Sequence, residues 1–112
     1  MKVAEILEAA QHCASQTGDQ LDWNKAKVEV NAAKDDLLSR RSDLMLESDN
    51  TLKTISDATG ESSTFDIPYR FTTVLALYVA SHALRNSDRG VGKDRNAALD
   101  LMKEYTVKVA TT

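Results

Sequence analysis

Residues that interrupt helices or cross-link a chain are scarce in this sequence. Its 112 residues include one cysteine, one proline and four glycines. A single cysteine excludes a disulfide framework and favours a reducing compartment. Because proline and glycine mark turns, their scarcity argues against a many-turned β fold and for long helices. The composition therefore favours a mainly helical chain that forms one domain, residues 1–112.

The sequence also lacks an apolar run long enough to cross a bilayer, and its first residues do not resemble a secretory signal. The most apolar stretch, from Phe71 to Leu84, is bracketed by Arg70 and Arg85. Its 14 residues fall short of the roughly 20 that a transmembrane helix needs. The pattern predicts a buried helix here and no contact with a membrane.

The charge is small overall and unevenly placed. A net charge of −3 argues against a non-specific nucleic-acid binder. Residues 1–66 carry 7 Lys and Arg against 13 Asp and Glu, whereas residues 67–112 carry 7 against 4. Two interpretations stay open: an ordinary solvated surface, or a self-complementary surface for head-to-tail assembly.

Apolar periodicity predicts four helices. The first covers Lys2–Ser15, and the second covers Trp23–Arg40 behind Asp22 at an N-cap position. Pro68 opens the third helix, whose apolar residues surround most of its circumference, and Asp94 caps the fourth. A helix that is apolar on several sides must be covered on several sides. The expected fold class is therefore all-α, a small four-helix bundle with the third helix at its centre.

The connection between the second and third helices, residues 41–66, follows neither a helical nor an alternating pattern. Leu44–Leu46 is compatible with a helix extension or a short strand, and "TLKTIS" with a strand or half of a hairpin. A connection of this length is usually functional or ordered by a partner. Its apolar residues are therefore the predicted assembly interface: Leu44, Met45, Leu46, Leu52, Ile55 and Phe65.

Motifs that carry chemistry are weak. "RGVGKD" lacks the Ser or Thr after Lys93 and the preceding strand that a phosphate-binding loop needs. His12, Cys13 and His82 follow no recognised zinc-ligand spacing. The sequence predicts no catalytic residue, no metal site and no cofactor, and hence a protein that is not an enzyme.

Four cations surround the loop after the third helix: Arg85, Arg89, Lys93 and Arg95. They are candidate phosphate contacts, which position a protein on DNA without reading its bases, and the alternative is a solubilising loop. No aromatic residues lie among them, which disfavours stacking on single strands. The loop, about ten residues of "RNSDRGVGKD", is too long for a helix-turn-helix motif.

The order of these features resembles that of the head-to-tail connector proteins of tailed bacteriophages, also called neck adaptors. The similarity rests on "LDWNKAKVEVNAAKDDLLSRR", the irregular "TLKTISDATGESSTFDIP" and the apolar "YRFTTVLALYVASHAL". It covers residues 21–85 most strongly, and the fourth helix agrees in order. The resemblance implies that Trp23 and the pair Ile67-Pro68 maintain the fold, as the residues that open the second and central helices.

The resemblance also implies a structural virion protein. Such adaptors form a ring under the portal, extend the DNA channel and dock later neck or tail proteins. The expected partners are copies of the chain itself, the portal protein, a downstream neck or tail protein and, weakly, channel DNA. The expected location is the head–tail junction of the virion, after assembly in the host cytoplasm.

One departure from the family bears on the portal contact. Such adaptors often grip the portal with a C-terminal arm, whereas only about Ala110–Thr112 follows the fourth helix here. The expected contact is therefore the segment Leu44–Phe65. A small helical DNA-binding regulator or protein-interaction module is the alternative function that the sequence leaves open.

Overall fold

Four α-helices build the described part of the chain. The computed structural model describes residues 1–13, 21–85 and 92–112, with the backbone alone at residues 85 and 92–95. Helix α1 spans Val3–Cys13, α2 Trp23–Arg40, α3 Thr72–Arg85 and α4 Gly92–Thr111. Short 3-10 turns occupy Ser42–Met45 and Tyr69–Phe71. The predicted fold class, a mainly all-α four-helix bundle, is confirmed.

The local sequence explains how α1 and α2 form. Helix α1 buries one apolar stripe, formed by Val3, Ile6, Leu7 and Ala10. Helix α2 begins at Trp23 because the Asp22 carboxylate accepts a 2.9 Å hydrogen bond from the Lys25 amide, as an N-cap does. Its buried apolar residues lie at helical spacing: Ala26, Val30, Ala33, Leu37 and Leu38.

Helix α3 is the centre of the bundle. It packs most extensively against α4, then against α1 and α2. Because three helices cover it, apolar side chains are buried around most of its circumference: Val74, Leu75, Ala76, Leu77, Val79, Ala80 and Leu84. Full burial of a Leu or Val side chain stabilises a fold by about 1.5–3 kcal/mol. This helix therefore supplies a large part of the stability of the domain.

Two polar contacts tie the helices together within this apolar core. The Ser81 hydroxyl of α3 is fully buried and donates to the Ala98 carbonyl of α4 at 2.9 Å. The Tyr105 hydroxyl of α4 donates to Oδ2 of Asp36 at 2.6 Å, and Arg40 donates to the same oxygen at 2.9 Å. Burial, followed by the bond to the Asp36 carboxylate, raises the pKa of Tyr105. Tyr105 therefore fixes α4 against α2 through a hydrogen bond as well as through packing.

The structure differs from the sequence prediction at the start of α4. The helix begins at Gly92, so Asp94 is its third residue and the prediction that Asp94 is the cap is wrong. Helical backbone geometry continues through both residues before Asp94, which places it in the first turn. A carboxylate still suits that turn because of the helix dipole. Only residues 86–91 separate α3 from α4, fewer than the predicted loop of about ten.

Two further points concern the ends of the elements. For Leu44–Leu46 the sequence left open either a helix extension or a short strand. In the structure, a 3-10 turn ends at Met45, and Leu46 forms a single β-bridge. Helix α4 extends to Thr111, so Ala110 belongs to it and not to a tail. Over the described ranges, every helix is too short or too polar to cross a membrane.

Candidate assembly surface

The connecting segment, residues 41–68, is held on α2 by an asparagine side chain. This side chain bonds to the segment's backbone N–H and C=O groups, as the backbone of a neighbouring strand would. The Asn31 side chain accepts a 2.7 Å hydrogen bond from the Ala58 amide and donates a 3.2 Å bond to the Ala58 carbonyl. Both backbone groups of Ala58 are thus satisfied by one amide side chain. Asn31 therefore fixes the path of the segment although it lies 27 residues away in the sequence.

Lys34 provides a second anchor on the same helix. Its ammonium group is buried, with 3% of the residue exposed. It donates to the Asp35 carboxylate at 2.7 Å, to the Asp57 carboxylate at 2.5 Å and to the Ile55 carbonyl at 3.3 Å. Burial alone would lower the pKa of Lys34, but the bonds to the two carboxylates outweigh it and raise the pKa. The lysine therefore stays charged and holds the segment through two of its residues.

The last part of the segment pairs with the residues that precede and open α1. Phe65 and Met1 exchange backbone hydrogen bonds of 2.9 and 3.2 Å, and an antiparallel bridge joins Lys2 to Thr64. The Val3 amide donates to the Ser63 carbonyl at 3.0 Å. Backbone groups at the start of α1, which have no partner within the helix, are satisfied in this way. The segment is therefore bound to two helices.

Half of the predicted interface residues take part in this anchoring. Leu44, Ile55 and Phe65 are buried and belong to the same core as the helices. Ala58 and Ile67 are buried beside them. The buried position of Ile67 agrees with the role in maintaining the fold that the resemblance to neck adaptors implies. These side chains are covered by the chain itself. Of the six predicted residues, Leu46 and Leu52 are exposed and Met45 is half-buried.

The exposed leucines lie side by side on the hairpin tip, residues 45–53. Leu46 and Leu52 form an antiparallel bridge, flanked by bonds from the Glu47 amide to the Thr51 carbonyl and from the Lys53 amide to the Met45 carbonyl. This pattern is that of a non-hydrogen-bonded pair, in which the two side chains are closest and share one face. Leu46 is 47% exposed and Leu52 76%. The tip therefore presents a small apolar surface on an anchored support.

The turn of the tip is specified by two residues of "SDNT". Asn50 has a positive φ of 65°, a conformation that Asn tolerates better than most residues. The Asp49 carboxylate accepts from the Thr51 amide at 3.1 Å and from its hydroxyl at 2.6 Å. These bonds, led by that from the hydroxyl, lower the pKa of Asp49. The Asp-Asn pair is the sequence signal that would have located this turn.

The predicted phosphate contacts lie where the structure describes no side chain. Arg89 is outside the described residues, and the side chains of Arg85, Lys93 and Arg95 are likewise outside them. The predicted contact with channel DNA therefore stays a prediction. The predicted end of the first helix at Ser15 also lies outside the described residues.

A groove, the possible metal ligands and the free cysteine are the other places where the described residues could bind or react with a small molecule. A shallow groove between α1 and the start of α2 is lined by Glu8, Asp22 and Glu61 together with His12. Within residues 1–13, 21–85 and 92–112, no three His, Cys, Asp or Glu side chains are close enough to hold a metal ion. Cys13 is half-buried, and this burial, together with the charge of Glu104, raises the pKa of its thiol.

The geometry thus singles out the hairpin tip rather than a cavity. Trp23, which opens α2, is half-buried against the core, in keeping with a role in the fold.

Comparisons with protein-family models, with curated protein sequences and with solved structures find no match to this chain.

Proposed function

We propose that this chain is a non-enzymatic virion protein, a head-to-tail connector of a tailed bacteriophage. In this proposal its copies form a ring under the portal, extend the DNA channel and dock a later neck or tail protein. The ring assembles in the host cytoplasm and lies at the head–tail junction of the virion. The order of elements between Leu21 and Arg85, which resembles that of neck adaptors, is the starting point.

The observation that carries the proposal is the anchored and exposed hairpin tip. A connection of about this length without an α-helix or a strand is uncommon in a compact domain unless it has a function. Here Asn31 and Lys34 fasten residues 55–58 to α2, and backbone bonds across the tip pair its two sides, while Leu46 and Leu52 are exposed. Adjacent exposed leucines favour a site that is covered by another protein chain. An ordered tip suits assembly, because little conformational entropy is lost when it is covered.

The proposed contact with channel DNA is weak and independent of sequence. Arg85, Arg89, Lys93 and Arg95 are its candidate residues, because cations near a channel can contact phosphates without reading bases. The net charge of −3 keeps such contact from becoming strong non-specific binding. The Leu44–Phe65 segment is the proposed portal contact, now through its exposed residues Leu46 and Leu52.

The test is reconstitution with a portal protein encoded beside this chain in its source genome. The purified chain and the portal are mixed and imaged by electron microscopy. We expect a ring of this chain on the portal, and loss of that ring in the double variant Leu46→Ser, Leu52→Ser. Val28→Ser is the matched control, because Val28 is 69% exposed on α2, away from the tip.

Three outcomes would overturn the proposal. The first is the absence of any complex with the portal, and the second is a complex that the Val28 and tip variants weaken equally. The third is retention on one DNA sequence at physiological salt, which would favour the small helical regulator. A complex with a partner unrelated to virions would instead favour a protein-interaction module.

A further inference from the structure

Arg41 lies at the junction between α2 and the connecting segment. Its backbone amide donates to the Leu37 carbonyl at 2.8 Å and so ends α2. Its own carbonyl accepts a 3.0 Å bond from the Leu44 amide, which opens the 3-10 turn Ser42–Met45 that leads to the hairpin tip. With φ −129° and ψ 66°, its backbone leaves the helical region. The chain therefore changes direction at this residue.

The Arg41 side chain joins this turn to the rest of the bundle. Nε and Nη2 donate to the two carboxylate oxygens of Asp43, at 3.0 and 3.1 Å, in the bidentate geometry of a strong Arg–carboxylate pair. Nη1 donates to the Val109 carbonyl of α4 at 2.8 Å, and the guanidinium carbon lies 5.5 Å from the centre of the Phe71 ring. One planar group thus relates the turn to the start of α3 and to the end of α4.

The end of α4 is suited to this contact. The last four carbonyls of a helix have no partner within it, and Val109 carries one of these because α4 ends at Thr111. The negative end of the helix dipole also favours a cation there. Only 22% of the Arg41 side chain is exposed, so most of it is covered by these partners. The arginine therefore has a fixed orientation between the turn and α4.

Apolar packing alone leaves the angle of the hairpin tip open. Leu44 and Ile55 are buried on either side of the tip, which keeps its two ends close to the core. Burial is not directional, so the turn can rotate about Leu44 at little cost in buried surface. The bidentate pair opposes such a rotation, because it fixes Asp43 against a guanidinium that is itself bonded to α4. The ion pair of Lys53 with the exposed Asp66, on the other side of the tip, is a weaker constraint.

We propose that Arg41 is a positioning residue of the assembly surface: its guanidinium sets the angle at which the hairpin tip stands on the bundle. The inference rests on the proposed function in taking the tip as the surface that a partner covers. It adds a residue outside that surface on which assembly depends. A ring closes only if every copy holds its contact at the same angle, since small angular errors add from copy to copy. Arg41 supplies this constancy, and Leu46 and Leu52 supply the contact.

Distances between spin labels on the full chain test the inference. The first pair of labels is attached at Leu52→Cys and Val107→Cys and reports the position of the tip relative to α4. The second pair is attached at Val28→Cys and Val107→Cys and reports the position of α2 relative to α4. All three positions are exposed, and Cys13→Ser removes the native thiol. Both distances are measured by pulsed electron paramagnetic resonance.

Two variants and a control are compared with the parent chain. Arg41→Gln removes the bonds of the guanidinium, and Asp43→Asn neutralises the carboxylate while leaving the bond to the Val109 carbonyl. Arg40→Gln is the matched control, because it makes the same change one residue earlier, where the ion pair with Asp36 lies within α2.

We expect a single narrow distance for each pair of labels in the parent chain. In Arg41→Gln the distribution of the tip distance should become roughly twofold wider, with a smaller widening in Asp43→Asn, because the turn can rotate about Leu44. The distance between α2 and α4 should stay narrow in both variants, and Arg40→Gln should leave both distances unchanged. A residue that only supports the fold would change the second distance as well.

An unchanged tip distance in Arg41→Gln, or equal widening of both distances, overturns the inference. If Arg41→Gln does not fold, Asp43→Asn decides in the same way through the same two distances.

Mixing with the portal separates the inference from the proposed function. Unlabelled Arg41→Gln, in which Leu46 and Leu52 are intact, should form several-fold fewer rings than Arg40→Gln. If the parent chain forms rings and Arg41→Gln forms as many, the proposed function stands and the positioning role of Arg41 is wrong. If the tip distance widens and the parent chain forms no ring, Arg41 still positions the tip and the connector function falls.

Discussion

Helix α3 and the connecting segment are held in the same domain by different interactions. Helix α3 is covered by apolar side chains from three other helices, so its position follows from burial that is not directional. The segment is held at a few points by hydrogen bonds from Asn31 and Lys34 and by its pairing with Met1 and Val3. Many substitutions preserve an apolar interface of the first kind, whereas a polar anchor depends on one side chain.

This difference separates folding from assembly. The bundle supplies most of the stability, and the segment uses it as a support on which Leu46 and Leu52 are displayed. Substitutions can therefore alter the displayed surface without disturbing the core. Four predictions test this division.

The largest effect is expected in the core. Tyr105→Ala removes a fully buried ring that packs edge-to-face on Tyr78 at a centroid distance of 5.3 Å. The free energy of unfolding should fall by about 3–5 kcal/mol because a cavity remains. Tyr105→Phe keeps the ring and loses the bond to Asp36, so its cost should be about 1 kcal/mol. Urea unfolding of both variants measures this, and equal costs would contradict a role for packing.

An intermediate effect is expected at the polar anchor. Lys34→Met keeps the packed stem and removes the bonds to Asp35, Asp57 and Ile55, which should cost about 1–3 kcal/mol. Lys53→Met is the control, since its ion pair with the exposed Asp66 should contribute less than about 1 kcal/mol. Amide hydrogen exchange should accelerate across residues 55–60 in Lys34→Met while α3 stays protected. Equal acceleration in α3 would show that the segment and the bundle open together.

The pH dependence of the anchor follows from the raised pKa of Lys34. A group whose pKa is raised in the folded state stabilises the fold fully below its ordinary pKa, 10.5 for lysine, and loses this effect as pH rises through the folded value. The stability difference between wild type and Lys34→Met should therefore be constant at neutral pH and shrink in the alkaline range. The raised pKa of Tyr105 also makes stability depend on pH in this range, but Tyr105 is present in both proteins and its effect cancels. A difference that persists unchanged at high pH would contradict the ionic anchor.

The smallest effect on folding is expected at the hairpin tip. The double variant Leu46→Ser, Leu52→Ser should change the free energy of unfolding by no more than about 0.5 kcal/mol, because both side chains are already exposed. Ile55→Ser, only nine residues from Leu46 but buried, should destabilise the chain strongly. Thermal melting of the two proteins measures the contrast. A low melting temperature of the tip variant would mean that the tip supports the fold.

The sequence predicts the helices and fails on the segment for a physical reason. The bounds of α2 and the Asp22 cap depend on residues within one or two turns, so local patterns reveal them. The segment depends on partners far away in the chain, since Asn31 binds Ala58 and Met1 binds Phe65. No periodicity within the segment reports those partners, and apolar residues alone cannot show whether Phe65 faces the core or Leu52 faces water. The turn at Asn50 could have been predicted from the sequence, because Asp and Asn are residue types that favour turns.

The pairing of Met1 with Phe65 also has a consequence for the time course of folding. The two residues are 64 positions apart, so this contact closes a loop that contains α1 and α2. Closing so long a loop costs entropy that only later contacts offset, which delays its formation. On a ribosome, the strand-like start of the chain stays unpaired until residues 61–65 have emerged. Helix α1, which packs mainly on α3, therefore docks only after the connecting segment has been made.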